Sequence, residues 1–192
     1  WNDESMRSRM FVASARDPRF ARTLIYNGAT FKGQPVQSYV GGRNGRPLDG
    51  ATPTSYYLRK HIVEATSFVT GSEMSYQHIF PFFRYAEVLL NAAEAAVELS
   101  LAGVSSPDDT DMRSVATKAI NDIRERAGAR LLTSSLAGTI DSRDIVRKER
   151  RKELAFEHKT KWDLRRWRVN HYEGRDGFWG CLLYTSDAAD DL

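Results

Sequence analysis

The run PFFRYAEVLLNAAEAAVELS, residues 81–100, constrains the fold more than any other stretch of this chain. Ala, Leu and Glu dominate it, and all three lose little conformational freedom in a helix. Pro81 suits a first helical turn, where its missing N–H has no partner to lose. The pattern therefore predicts a helix from Pro81, with Gly103 as its stop. Tyr85, Val88, Leu89, Ala92, Ala96 and Leu99 recur at steps of three and four, which predicts that they form the buried face. Ala86, Ala92, Ala93 and Ala96 are small enough to let a neighbouring helix approach closely. A second helix is read in SVATKAINDIRERAGA, with Ala116, Ala119, Ile120, Ile123 and Ala127 on one face and Gly128 ending it. SSPDDTD is the loop between the two. The expected fold class is mainly α.

A third helix follows in TIDSRDIVRKERRKELAFEH, where Asp141 or Ser142 can cap the first-turn amides. KWDLRRWRV then continues as a turn or further helix. Between Arg147 and Arg168 there are ten Lys or Arg residues and four acidic ones. That composition suggests a phosphate-binding arm until the residues are placed at 100° intervals. Ile145, Val146, Glu149, Glu153 and Phe156 then share one arc, while Arg147, Lys148, Arg151 and Lys159 lie mostly opposite. The acids sit on the apolar side, which costs free energy unless each carboxylate is paired. Arg84, Arg124 and Arg165 are the expected ion-pair partners of Glu149 and Glu153.

The first third is loop-rich. Asp17-Pro18 and Asn27-Gly28 are turn signals, with a short strand expected in RTLIYN between them. VGGRNGRPLDGATPTS reads as an exposed loop, and YYLRKHIV as a strand or extended segment. GGRNGRP lacks the Lys-Ser/Thr ending of a phosphate loop. The organisation expected is thus a loop-rich region over 1–80, a helical scaffold over 81–168 and a tail over 169–192. The ending GCLLYTSDAADDL breaks with the preceding pattern, and 181–192 reads as non-native sequence.

Composition narrows the function classes. The net charge is +3, so the sequence pI of about 9.0 reflects local clusters rather than a field that would draw nucleic acid. One cysteine, Cys181, provides neither a disulfide framework nor a cysteine-based zinc site. His61, His78, His158 and His171 fall in no metal-ligand spacing. No cofactor, metal or catalytic residue is expected. No apolar run approaches the roughly 18 residues of a membrane span.

Taken in order, RYAEVLLNAAEAAVEL, ATKAINDIRERAG and RKERRKELAFEHKTKWDLRRW, with DPRF, IYNGATF and YYLRKHI upstream, resemble the SusD/RagB family of nutrient-binding outer-membrane lipoproteins. The resemblance spans about Asp17 to Trp167. It implies a mainly α fold of tetratricopeptide-like helix pairs, in an α-α superhelix, whose irregular loops carry the ligand site. It implies a place on the outer membrane, exposed at the cell surface and held by an N-terminal lipidated cysteine. The partners it implies are a SusC-like TonB-dependent transporter and an oligo- or polysaccharide ligand, bound and handed over but not cleaved. Three features depart from the family pattern. The N-terminal half with its lipid-bearing cysteine is absent, and Cys181 is no substitute. His158 stands where a glycine commonly follows the AFE element. The tail after DLRRW is short. The chain resembles a fragment from the C-terminal half of a member.

A sugar site needs flat apolar faces for the pyranose ring and polar groups at the rim. Trp1, Tyr26, Asn27, Tyr56 and Tyr57, in the loops before Pro81, are the candidate ligand residues, with Phe31 and Tyr39 nearby. Trp162 and Trp167 read as core anchors. Two other readings compete. One is a helical-repeat module that binds proteins and no small ligand. The other is a glycoside hydrolase using Glu149 and Glu153, against which stands their position on a charge-rich packing helix.

Overall fold

The computed structural model describes residues 16–64, 80–104, 106, 108, 110–136 and 140–169. Trp1, Cys181, His78, His171 and the segment 181–192 lie outside these residues. The chain divides into two compact units, Trp1–Glu153 and Leu154–Leu192.

The first unit holds four helices among the described residues: α1 (Arg19–Thr23), α2 (Tyr85–Leu101), α3 (Met112–Ala127) and α4 (Ile140–Glu153). The fold is mainly α. α2 packs against both α3 and α4. Leu90, Ala93 and Val97 of α2, Ala116, Ile120 and Ile123 of α3, and Val146 of α4 are buried. α3 starts on Asp111, whose side chain accepts a hydrogen bond from the Arg113 amide at 3.1 Å. It ends at Gly128, which takes φ 69°, a conformation that costs a residue without Cβ little. The chain beyond is pinned back onto α3, because the Leu132 amide donates to Asn121 Oδ1 and the Leu136 amide to Thr117 Oγ1, both at 2.8 Å.

Three local readings change. α2 begins at Tyr85 and not Pro81, because Arg84 is extended (φ −148°, ψ 159°). That geometry sends its guanidinium to Glu153. The buried face of α2 is Ala86, Glu87, Leu90, Ala93, Ala96 and Val97. Of the residues expected to be buried, Ala96 is, but Tyr85, Val88, Ala92 and Leu99 are exposed. α4 begins at Ile140, so Asp141 and Ser142 lie inside its first turn instead of capping it.

Among the described residues the loop-rich region carries four two-residue strands in two antiparallel pairs. β1 (Leu24–Ile25) pairs with β4 (Tyr57–Leu58), matching Leu24 to Leu58 and Ile25 to Tyr57. β2 (Thr30–Phe31) pairs with β3 (Gln34–Pro35). Lys32 and Gly33 join the second pair, both at positive φ (50° and 74°), as a two-residue hairpin turn matched to strand twist requires. The Arg and Thr of RTLIYN belong to α1, leaving Leu24 and Ile25 as the strand. Ile25, Ala29 and Val36 form a small core, with Tyr26, Phe31 and Tyr57 packed against it.

In the second unit α5 runs from Thr160 to Arg166. Phe156 sits beyond the end of α4, at φ 62° and exposed, so it leaves the apolar arc that a continuous helix would give it. Trp162 is 63 % exposed and is no core anchor. The Arg165 guanidinium lies over its ring at 5.6 Å. Trp167 is half-buried, with Arg166 at 5.2 Å from its ring.

Candidate functional site

A concave site lies in the loop-rich region. It is a cavity of about 520 Å³ whose walls are mostly apolar: Ile25, Val36, Leu48, Leu58 and Ile62, with the rings of Phe31 and Tyr57. Asn44 and Asp49 supply the polar side chains. The strand pairs place Ile25, Phe31, Tyr57 and Leu58, and the loop from Gln37 to Leu48 closes the other side.

That loop is folded on itself. The Asn44 amide donates to Gln37 O at 2.9 Å, and the Asn44 side chain accepts from the Gln37 amide at 3.1 Å. The Gly41 amide donates to Arg46 O at 2.7 Å, and the Leu48 amide to Gly45 O at 3.1 Å. The Tyr57 hydroxyl donates to Asn44 O, tying the loop to β4. Gly45 is required for space: a Cβ there would lie 1.9 Å from Tyr39 O. The ordinary turn composition of GGRNGRP concealed this, since nothing local marks which glycine has a carbonyl pressed against it.

The candidate ligand residues do not all converge. Tyr57 lines the cavity. Tyr26 and Tyr56 instead flank Phe20, with ring centroids 5.2 and 6.0 Å from it. The Arg16 guanidinium covers the Phe20 ring at 4.3 Å. The Asn27 side-chain oxygen accepts from the Ser38 amide at 3.2 Å and so holds the start of the loop. Tyr39 is exposed on it. Asn44 and Asp49 were not singled out by sequence reasoning.

Beside this region the inward carboxylates of α4 organise a cluster of arginines. Glu149, only 1 % exposed, is met by Arg124 at 2.8 Å and by Arg19 at 2.7 Å. Glu153 is met by Arg84 at 2.6 Å, by Arg19 at 3.1 Å and by Arg126. Arg84 also donates to Glu153 O at 2.7 Å, and so does Lys60 at 3.1 Å. Arg19 comes from α1, some 130 residues away in sequence, and is held in turn by Asp17 at 2.6 Å. This partner is invisible to helical periodicity. Arg165 lies in the second unit, over Trp162.

The electrostatics follow from these contacts. Burial alone would raise the Glu153 pKa, but the Arg84 hydrogen bond and the charges of Arg84 and Arg126 outweigh it, and the carboxyl ends below its ordinary range. The hydrogen bond from Arg19 lowers Asp17 to about 2. Burial disfavours the Arg19 charge, yet Asp17 and Glu149 together raise its pKa above the ordinary arginine value. A glycosidase acid must carry a proton near neutral pH, and a Glu153 held by three guanidinium groups is poorly suited to that role. Among the described residues no group of three His, Cys, Asp or Glu side chains is placed to hold a metal ion. No described helix is long and apolar enough to cross a membrane.

The SusD family profile matches residues 10–189, which includes α1 with its Asp17–Arg19 pair, the cavity region and the helices that carry the arginine–carboxylate cluster. The chain belongs to the SusD family. Two solved SusD-like structures are similar to it, both from Bacteroides fragilis. One is a SusD-like protein with 29 % identity and a TM-score of 0.64, covering 82 % of this chain and 29 % of the other. The second is described as a SusD-like carbohydrate-binding protein, with 28 % identity and a TM-score of 0.62, covering 88 % of this chain and 32 % of the other. This SusD-family chain thus spans less than a third of the length of either solved relative. No curated protein matches it.

Proposed function

We propose that this SusD-family chain serves in a glycan-binding protein at the outer-membrane surface, which passes its ligand to a TonB-dependent transporter of the SusC kind and does not cleave it. The observation that carries this reading is a cavity walled by Phe31 and Tyr57 in a chain of this family, one of whose solved members is described as carbohydrate-binding. The C–H face of a pyranose ring stacks on such aromatic surfaces, while Asn44 and Asp49 meet hydroxyls at the edge. The self-bonded loop keeps these groups in place before the ligand arrives, which reduces the ordering cost of binding. The arginine–carboxylate cluster has a structural role in this reading, joining α1, α3 and the start of α2 to α4.

A glycan array probed with the chain tests the reading, alongside a reducing-end assay on every glycan that binds. Binding of one glycan class without release of new reducing ends is expected. A blank array from folded protein, together with capture of protein partners, would favour the protein-binding module instead.

A further inference from the structure

The cavity is poor in hydrogen-bonding groups for a site that takes a sugar. Among the described residues that line it, only Asn44, Asp49 and Tyr57 carry a polar side chain. Two of these are already engaged. The Tyr57 hydroxyl donates to Asn44 O, and the Asn44 side-chain oxygen accepts from the Gln37 amide at 3.1 Å. The Leu48 carbonyl accepts from the Ala51 amide, also at 3.1 Å. The other side chains of the wall are apolar, and they stay apolar where they meet solvent, since Leu48 is 59 % exposed and Leu58 36 %. A fully hydroxylated pyranose pressed against such a wall leaves hydroxyl groups without partners, which disfavours binding.

The groups that remain select among glycans. With its oxygen held by Gln37, Asn44 has its NH2 group left to offer, which is a donor. Asp49 is the one charged side chain among the described lining residues, and it is negative and exposed. An acyl ester suits this set. It brings a carbonyl acceptor and no donor, it adds apolar surface, and it carries no charge. A uronic acid or a sulfate meets the reverse: the Asp49 carboxylate repels it, and no Lys, Arg or His among the described lining residues offsets its charge. A volume of about 520 Å³ holds a sugar ring together with a substituent. Resting on the glycan-binding reading, we propose that the cavity selects O-acylated glycans. The acyl group sits against Phe31 and Val36, its carbonyl accepts from the Asn44 side chain, and Asp49 turns acidic sugars away.

Calorimetric titration of the 192-residue chain tests this with xylo-, manno- and cello-oligosaccharides, each as the free sugar, partly O-acetylated and sulfated. On a backbone that binds, the acetylated form is expected to bind at least ~10-fold more tightly than the free sugar, and the sulfated form at least ~10-fold more weakly. A free sugar that binds as tightly as its acetylated form would overturn acyl selection and leave the glycan-binding reading standing. So would tighter binding of the sulfated form. A folded chain that binds no form of any backbone would overturn both. Asn44→Asp keeps the oxygen that accepts from the Gln37 amide and removes the donor, so it is expected to erase the preference for the acetylated form with circular dichroism unchanged. A preserved preference would overturn the role given to Asn44. Asp49→Asn, at an exposed position, is expected to bring the sulfated form closer to the free sugar, and an unchanged gap would overturn the role given to Asp49.

Discussion

Replacing Glu153 by Gln removes one negative charge and leaves three arginines facing a neutral amide. Breaking a buried ion pair from one side typically costs 3–5 kcal/mol, because the remaining charge stays buried and uncompensated. The three partners here are not equally enclosed: the Arg19 side chain is 10 % exposed, Arg84 26 % and Arg126 59 %. The Arg126 pair is screened by solvent and contributes at most a few tenths of a kcal/mol to the loss. Arg19 keeps Asp17 and Glu149, which softens its own loss. The expected destabilisation is therefore about 3 kcal/mol, near the lower end of the range. With a urea slope of about 2 kcal/mol/M, the unfolding midpoint should fall by roughly 1.5 M with the slope unchanged. Urea titration followed by far-UV circular dichroism measures this directly. A shift below about 0.3 M would refute the claim that Glu153 ties the helices together. A double-mutant cycle with Arg19→Met should show clear coupling, whereas one with Arg126→Ala should show little.

Other outcomes follow from the same geometry. Asp17 and Glu153 both have folded-state pKa values below their unfolded ones, so their stabilisation is complete above about pH 5 and fades as pH falls through the folded values, toward about 2 for Asp17. Acid unfolding monitored by circular dichroism should accordingly begin below about pH 4 and be less steep in Asp17→Asn. Gly45→Ala should destabilise the chain by about 1–3 kcal/mol, because its Cβ would meet Tyr39 O, and a thermal midpoint equal to that of the parent would contradict the close approach. Tyr57→Phe should cost about 1 kcal/mol by removing the hydroxyl that donates to Asn44 O, and should speed hydrogen exchange at the Gln37 and Asn44 amides that hold the loop.

Much of the helical frame was legible in the sequence, because its signals are local. Gly128 ends α3, and the carboxylates of α4 turn inward as the helical spacing requires. The choice of face on α2 was not legible. Ala86, Leu90, Ala93 and Val97 form one apolar stripe, and Tyr85, Val88, Ala92 and Leu99 form another of similar strength. Periodicity cannot rank two stripes on one helix. What separates them is where Glu87 and Glu98 find arginines, and those lie on α4, far along the chain. The same limit hid Arg19, whose partners depend on tertiary structure alone. In the loops, aromatic content identified Tyr57 but also Tyr26 and Tyr56, which pack on Phe20. Asn44 looked like an ordinary turn residue until its bonds to Gln37 placed it at the cavity wall.

Calorimetric titration of the chain with the glycan class it selects, repeated for Phe31→Ala, Tyr57→Ala and Tyr56→Ala, tests the account most directly. The cavity reading predicts saturable binding that weakens at least ~10-fold in Phe31→Ala and Tyr57→Ala and survives in Tyr56→Ala, with all three chains folded. Binding that is lost in Tyr56→Ala and indifferent to Phe31 and Tyr57, or no saturable binding by the folded chain, would contradict it.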